Sequence, residues 1–391
     1  MIYFALFFVY FLGNGAYFSG FSPYVLGNYP AESAAIFLSS QIASPAGTLL
    51  AGVTTDKTRL LRWPLFVCVS SLVVFQFLFF SVLSPLWTIV SSICLRFFLS
   101  AAGQILVIAT LESGGARFAR ARTAGTVGFC VIQIVLYLLA ETLVAHSSAE
   151  FGRWTAAFYS IGMILALFVP LKRKTHEPYY FSEAVQRMFR GSAPAFFVAS
   201  FFFYLCYQLV DYYIGRFLEM RHGISAVYLG WGLSVFLEIL LMPFTALLFE
   251  KFHTRSLFVL AIAAGALRFL WLGVAATSEI PAVFAQLLHG LHFAGYYAGV
   301  IFLLRRYFPA HLYGTGHALF SGFAMSCGGI AGNMLTAYML GKSPGVSSFA
   351  IVFLGAAGIH ILLIGAFYFM RLPGGAVSHS ARTEAENPPA V

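Results

Sequence analysis

The chain has 391 residues, of which 60% are hydrophobic and only 9% are charged, and its formal net charge is +9. A soluble domain carries about 25% charged residues because its surface must meet water, so this composition excludes an ordinary soluble protein and indicates a surface that meets lipid. The positive charge is expected to set membrane topology rather than to bind nucleic acid, and the five cysteines show no paired spacing that would predict a disulfide framework or a metal site.

Apolar runs separated by polar or turn-rich segments predict the membrane spans. A helix needs about 20 apolar residues to cross the hydrocarbon core, so this length accommodates about twelve spans with short loops. The first run is too long for a signal peptide and no basic segment precedes it, so we expect a span there rather than a cleaved leader. The predicted spans are 2–26, 32–53, 63–83, 86–110, 121–143, 153–171, 194–217, 225–248, 255–275, 280–304, 313–340 and 346–370.

The lysines and arginines predict the orientation of these spans. Of the 23, 17 lie in the tail or in loops and adjoining span ends on one side of the predicted membrane and four on the other, while Arg96 and Arg268 lie well inside spans. We call the side with the 17 residues the basic face. Cytoplasmic loops are enriched in lysine and arginine, so we expect a multi-pass protein of the cytoplasmic (inner) membrane with both termini in the cytoplasm.

The longest internal connection divides the chain into two parts. Residues 1–171 are predicted to form an N-terminal half of six spans and residues 194–371 a C-terminal half of six spans, joined by a basic cytoplasmic loop at 172–193. The remaining residues, 372–391, are expected to form a disordered cytoplasmic tail. Two six-helix halves joined in this way are typical of major facilitator transporters. The predicted fold class is therefore an all-α integral membrane protein with twelve transmembrane helices.

The loop after the second span carries a motif that resembles the major facilitator superfamily. Gly52-Val53-Thr54-Thr55-Asp56-Lys57 is similar to the G-x-x-x-D-[RK] loop of that superfamily, although Thr58-Arg59-Leu60-Leu61 follows where a further glycine is expected. A small residue lets helix ends approach closely, and an aspartate is favoured near a helix N-terminus. We expect Gly52, Asp56 and Lys57 to act in conformational change.

Longer segments resemble one group within that superfamily. Gly15–Phe18 in the first span, Phe118–Phe129 at the start of the fifth and Gln286–Gly290 in the tenth are similar to segments of the lactose permease and phenylpropionate permease group of proton symporters. Glu238 in the eighth span and Arg268 in the ninth also match this group. The resemblance covers nearly the whole chain up to Arg371, and it implies proton-coupled transport by the major facilitator fold.

Charged residues at membrane depth are costly and are candidates for function. Glu238 has apolar neighbours and no basic residue in its own span, so its protonation should respond to its surroundings. Arg268 is the expected partner, and the resemblance implies a coupling role for the two, whereas a static ion pair between helices is the alternative. His289 and His292 lie three residues apart, on one helical face. They are further proton-coupling candidates, although a buried structural histidine is an equal alternative for His292 and a metal site would lack a third ligand.

The resemblance also implies a set of substrate-binding residues. Glu112 and Arg122 match an acid and a base that bind sugar hydroxyls, and a carboxylate with a guanidinium fork can hold neighbouring hydroxyls. Phe129 takes the place of a tryptophan that stacks on a sugar ring, and Tyr17 belongs to the matching first-span segment. Asp211 in the seventh span could contact substrate or a cation, or form a packing contact between helices. An ordinary loop charge is the alternative for Glu112.

These observations predict a secondary transporter that takes up a small polar organic solute with protons by alternating access. The solute could be a sugar or glycoside, a nucleoside or an aromatic carboxylate, since Arg122 would suit either hydroxyls or a carboxylate. Proton-coupled efflux and facilitated uniport are the alternatives. An enzyme is not expected, because the sequence has no nucleophile-base set and no large soluble domain. The expected partners are the solute and the lipid bilayer, with no nucleic acid, no cofactor other than the coupling proton, and a monomeric state.

Overall fold

The computed structural model describes residues 1–29, 31–81, 84–112, 115–139, 148–173, 180–275, 279–340 and 346–373. Within these residues the regular structure is helical, apart from one isolated bridge between Leu60 and Lys172. The predicted tail lies, from residue 374 on, outside the described residues. The α-helices are α1 (Ile2–Asn28), α2 (Ser33–Thr58), α3 (Arg62–Phe79), α4 (Pro85–Leu111), α5 (Gly115–Leu138), α6 (Ser148–Ala166), α7 (Phe181–Met188), α8 (Ala193–His222), α9 (Ile224–Leu241), α10 (Thr245–Lys251), α11 (Thr254–Ala275), α12 (Glu279–Phe284), α13 (Leu287–Tyr307), α14 (Tyr313–Phe320), α15 (Gly328–Leu340) and α16 (Val346–Phe369).

Eleven helical segments of the described chain are long and apolar enough to cross a membrane. The remaining predicted span, 153–171, overlaps α6, which packs against α1 and α3 as a twelfth helix of the bundle. Three of the predicted spans are interrupted. In the eighth, a 3₁₀ turn at Met242–Phe244 joins α9 to α10. The tenth consists of α12 and α13, which meet at Ala285–Gln286, and the eleventh consists of α14 and α15 joined by a π-helical turn at Ser321–Cys327. Interruptions of this kind are frequent at functional sites in membrane helices.

The helices pack into two groups that follow the chain. In the first group α1 packs against α5 and α6, and α4 packs against α2 and α3. In the second group α8 packs against α15, α11 against α13 and α16, and α9 against α13. The two groups meet mainly where α5 contacts α9 and where α2 contacts α14 and the π-helical turn. The space between those two contacts is where a cavity can form.

Glycine allows the closest helix contacts within each group. A Cβ atom at Gly128 on α5 would collide with the carbonyl of Phe8 on α1, and one at Gly332 on α15 would collide with the carbonyl of Leu205 on α8. Helices in lipid associate through close packing of small residues, because lipid supplies no hydrophobic drive between them. These glycines therefore hold the α1–α5 and α8–α15 pairs together.

The end of α2 takes an unusual backbone conformation that positions the following chain. Arg59 caps α2 with φ 62°, in the left-handed region where the superfamily's glycine would be favoured. Its carbonyl accepts a 2.7 Å hydrogen bond from the backbone N–H of Arg173, and Leu61 N–H donates to the carbonyl of Leu171 at 3.0 Å. These bonds offset the cost of about 1 kcal/mol that the left-handed backbone of Arg59 carries. They also place Arg173 beside the end of α2.

Candidate functional site

A cavity of about 300 Å³ lies between the two groups of helices. Arg122 and Glu238 form its deep end, and Arg216 and Glu219 on the last turns of α8 lie at its mouth. Because α8 begins on the basic face and ends on the opposite one, the cavity opens away from the basic face. Arg216 and Glu219 form an exposed ion pair of 2.9 Å at this mouth.

The deep end of the cavity is an ion pair between the two groups of helices. Arg122 Nη2 on α5 lies 3.0 Å from Glu238 Oε1 on α9, and both residues are buried. Thr126 accepts a hydrogen bond from Arg122 Nη1 and donates one to Glu238 Oε1, each of 2.7 Å. The guanidinium also lies 4.3 Å from the centre of the Phe11 ring. An acid, a base and an aromatic face thus meet in the cavity wall.

Arg268 does not pair with Glu238, so the expected partnership between these residues is wrong. Arg268 Nη2 donates to Gln286 Oε1 at 2.6 Å, and the amide of Gln286 in turn donates to the carbonyl of Ala282. Arg268 is completely buried and is not among the residues that line the cavity. Glu238 faces α5 instead, because the contact between α5 and α9 brings Arg122 within reach.

Several aromatic side chains line the cavity beside this ion pair. Phe129 on α5 meets Trp231 on α9 edge to face, with ring centres 6.3 Å apart and planes at 66°. Trp231 also meets His289 on α13 edge to face, and Tyr207 Oη lies 3.3 Å from His289 Nε2. The cavity therefore offers a corner of flat apolar surfaces with a few polar groups at its base.

His292 lies behind this wall rather than in it. Its Nε2 is 2.9 Å from Nε2 of His360 on α16, and it packs 4.7 Å from Phe203, ring centre to ring centre. Of the two predicted histidines, only His289 lines the cavity. Within the described residues no cluster of three or more histidine, cysteine, aspartate or glutamate side chains could hold a metal ion.

Three further residues that the sequence singles out lie in different parts of the structure. Tyr17 is buried between α1 and α3, against Phe21 and Phe79, and is not a lining residue. Arg96 on α4 does line the cavity, with its guanidinium 5.0 Å from the centre of the Phe18 ring. Asp211 belongs to α8, but its side chain lies outside the described part of the structure.

A polar network closes the basic face of the cavity. Arg173 contacts both Asp56 at the end of α2 and Glu112 at the end of α4, and it donates to the carbonyl of Ala310 at 3.2 Å. Asp56 also accepts hydrogen bonds from the backbone N–H and the hydroxyl of Thr315 on α14, the latter at 2.7 Å. These bonds tie the first group of helices to the second.

The remaining motif residues surround this network, which also determines the position of Glu112. Gly52 lies against α14, where a Cβ atom would come within 2.5 Å of Ala318 Cβ, whereas Lys57 is exposed. Glu112 contacts Arg173 and is absent from the cavity lining. In this structure Glu112 thus belongs to the closing network and does not lie beside Arg122.

Sequence patterns alone do not point to Trp231, Tyr207 or Thr126 as cavity residues. They do not point to Arg173 as part of the closing network either. Arg173 is the second residue after the sixth predicted span and lies within a basic run, where it resembles an ordinary topology charge. Tyr207 is one of 20 tyrosines in a chain that also has 43 phenylalanines, so composition gives it no distinction. One available sign was the placement of Trp231 seven residues, or two helical turns, before Glu238 on the same face.

Comparison with known proteins identifies the family. A model of the MFS_1-like family matches residues 2–351. The chain belongs to the MFS_1-like family. It is therefore a membrane transporter, and the predicted membership of the major facilitator superfamily is confirmed.

Solved structures with the major facilitator fold resemble this one over nearly their full length. A point mutant of the nucleoside transporter NupG superposes with a TM-score of 0.75 at 19% identity, covering 95% of this chain and 99% of that chain. The proton:xylose symporter XylE gives 0.73 at 16% identity, covering 95% of each chain. The human organic anion transporter MFSD10 gives 0.69 at 12% identity, covering 94% of this chain and 98% of that chain. These likenesses confirm the predicted twelve-helix fold.

A comparison with curated protein sequences gave no match.

Proposed function

We propose that this family member is a proton-coupled symporter that takes up a small polar organic solute by alternating access. The observation that carries the proposal is the ion pair between Arg122 and Glu238, which lies in the cavity and joins the two groups of helices. A carboxylate in this position can bind a proton from the open face. Its neutralisation changes both the solute site and the contact between the groups.

The cycle follows from the charges of this pair. A proton that binds Glu238 removes the negative partner of Arg122, and the guanidinium can then turn its hydrogen-bond donors toward a solute. The solute must then supply the acceptors that Glu238 gave to Arg122, because a buried guanidinium without a partner would be costly in the closed intermediate. One proton that falls through about 100 mV supplies roughly 2.3 kcal/mol for accumulation.

The wall of the cavity favours a solute with a flat ring. Phe129 and Trp231 supply two apolar faces at 66° to one another, and Arg122 with Glu238 supplies directional hydrogen bonds at one end. Sugars, glycosides, nucleosides and aromatic carboxylates all combine a ring with polar groups at its edge. Two of the structural neighbours are named as a nucleoside transporter and a proton:xylose symporter, so nucleosides and sugars are the first solutes to test.

The proposed setting is the cytoplasmic (inner) membrane, with both termini and the basic face in the cytoplasm and a monomer as the transporting unit. In that orientation the cavity opens to the outside, as expected of a carrier ready to bind solute and proton. The proton is the coupling ion and no cofactor is needed.

The test is proton movement during solute pulses in lightly buffered, de-energised cells that express the protein. Sugars, nucleosides and aromatic carboxylates are added one class at a time, and cells without the protein serve as the control. Transient alkalinisation of the medium with one class is the expected result. Acidification would indicate antiport instead, and solute entry without a pH change would indicate uniport; either result would overturn the proposal.

A further inference from the structure

A second titratable side chain lies buried where the two groups of helices meet, outside the cavity. His317 on α14 is 3% exposed, and its Nδ1 lies 2.6 Å from Oε1 of Gln104 on α4. It is not a lining residue of the cavity, and the cycle described above does not use it. Its contact with Gln104 can exist only while the basic face is closed, because α4 and α14 belong to different groups.

The hydrogen bonds around His317 determine which ring nitrogen carries the hydrogen. The amide nitrogen of Gln104 donates to the carbonyl of Gly314 at 3.0 Å, and a carbonyl can only accept. The amide oxygen of Gln104 therefore faces His317, so Nδ1 of the ring must be the donor. In the neutral ring Nε2 is then without a hydrogen. It is buried and has no hydrogen-bond partner among the described residues.

A proton on Nε2 would be unfavourable in this closed contact. It would place a positive charge and an N–H group in a buried site that offers Nε2 no acceptor. Separation of α4 from α14 would let water reach the ring and solvate the charge. Closure therefore favours the neutral ring and opening favours the protonated one, so proton binding and opening of the basic face are linked.

The surroundings of His317 leave it as a distinct titrating group. Its ring neighbours are the phenols Tyr297 on α13 and Tyr313 on α14, with ring centres 6.5 and 6.3 Å away. Ser321, one turn along, has its hydroxyl 3.4 Å from Nδ1. Other charged groups lie on the elements packed around α14: Asp56 on α2, Glu112 at the end of α4, Arg173 after α6, Glu183 and Arg187 on α7, Arg305 on α13 and His311 before α14.

Each nearby acid already has a cationic neighbour. Asp56 and Glu112 contact Arg173, and Glu183 pairs with Arg187. None of these acids has a hydrogen bond to His317 in the described structure. A proton on the ring would thus have no carboxylate to neutralise it.

We propose that His317 is a second proton-binding residue of the transport cycle and must be neutral before the basic face can close. Its role in transport rests on the proposed function, whereas the linkage to closure rests only on the contacts of His317. The ring binds a proton while the basic face is open and releases it before α4 and α14 meet again. Acidification on the basic face therefore holds that face open and slows the return of the carrier.

The experiment measures the distance between the two groups of helices on the basic face as pH changes. Spin labels are placed on exposed Thr58 and Ala310 as Thr58→Cys and Ala310→Cys in purified protein that lacks the five native cysteines. From about pH 8 to about pH 5.5, a range that spans histidine titration, we expect the open fraction to rise at least about threefold. His317→Gln should abolish this rise, and His360→Gln, which removes a buried histidine away from the interface, should keep it.

The same titration in a Glu238→Gln background separates this proposal from the proposed function. A pH response that persists there and is lost on His317→Gln supports the proposal even if proton symport fails. A response that survives His317→Gln, or a wild-type protein that shows none, would overturn it. Should His317→Gln not fold, Gln104→Glu gives the closed contact a carboxylate that can neutralise a protonated ring, so the rise in open fraction on acidification should shrink or disappear; an unchanged rise would equally overturn the proposal.

Discussion

Arg122 on α5 and Glu238 on α9 form a 3.0 Å ion pair that joins the two groups of helices at the base of the cavity. Thr126 connects the two side chains through hydrogen bonds to both. Since the pair belongs at once to the solute cavity and to the contact between the groups, a change in the charge of either residue affects binding and conformation together.

Removal of Arg122 alone should destabilise the protein more than removal of both charges. Arg122→Ala leaves the buried carboxylate of Glu238 with Thr126 as its remaining described partner, and loss of one member of a buried pair costs about 3–5 kcal/mol. The double variant Arg122→Ala/Glu238→Gln should recover most of that loss. Thermal unfolding of the purified protein in detergent measures both. Equal midpoints for the single and double variants would contradict the structural importance of the pair.

Trp231 should report solute binding through its fluorescence. The indole lies at the cavity corner beside Phe129, so a bound ring would change its surroundings. We expect Trp231→Phe to abolish the solute-dependent change in emission. Trp271→Phe removes a tryptophan that is 40% exposed and should retain the change.

Loss of the Phe129 ring, which meets Trp231 in the cavity wall, should weaken solute binding. An aromatic pair contributes about 0.5–1.5 kcal/mol beyond its buried area, so Phe129→Ala should raise the Kd roughly threefold to tenfold. Titration of the Trp231 emission measures this Kd, and Phe129→Tyr is the matched control. An unaltered Kd in Phe129→Ala would place the solute elsewhere in the cavity.

A larger residue at position 52 should prevent closure of the basic face. A Cβ atom at Gly52 would lie 2.5 Å from Ala318 Cβ and 2.7 Å from the carbonyl of Gly314, so Gly52→Val forces α2 away from α14. Transport should be lost, and a cysteine at buried Thr55, introduced without the native cysteines, should react with maleimide. Gly355→Val is the matched control, because no atom lies within 4 Å of a Cβ there. Continued protection of Thr55→Cys in Gly52→Val would show that this contact does not set closure.

Glu112 should affect closure and not solute affinity. It contacts Arg173 on the basic face, away from the cavity lining. Glu112→Gln should therefore leave the Kd unchanged while the basic face opens more readily, whereas Arg122→Gln should raise the Kd. A matching rise in the Kd of both variants would restore Glu112 to the binding site.

The spans and the family could be predicted from the sequence because their physical causes are local. An apolar run of about 20 residues is sufficient to define a membrane helix, and the motif at Gly52–Lys57 lies in one loop. Glu238 and Arg122 could also be selected, since charged residues in or near apolar spans are rare. The loss of the glycine after Lys57 could be noted, but the left-handed Arg59 that replaces it required backbone geometry.

Partnerships could not be predicted, because they depend on which helices touch. Glu238 meets Arg122, 116 positions earlier in the chain, only because α5 packs against α9, and Arg268 in the neighbouring span turns to Gln286 instead. Glu112 resembles a sugar-binding acid in sequence, yet Arg173, 61 residues away, draws it into the closing network. Helical spacing places His289 and His292 together, but the packing of α16 encloses His292 with His360.

The most direct test of the central claim is solute accumulation by proteoliposomes that contain the Glu238→Gln protein under an imposed proton gradient. Exchange of solute across the membrane without any gradient serves as the control for folding and binding. The account predicts that the variant exchanges solute but no longer accumulates it, whereas the wild-type protein does both. Accumulation by Glu238→Gln at the wild-type level would contradict the assignment of Glu238 as the coupling residue.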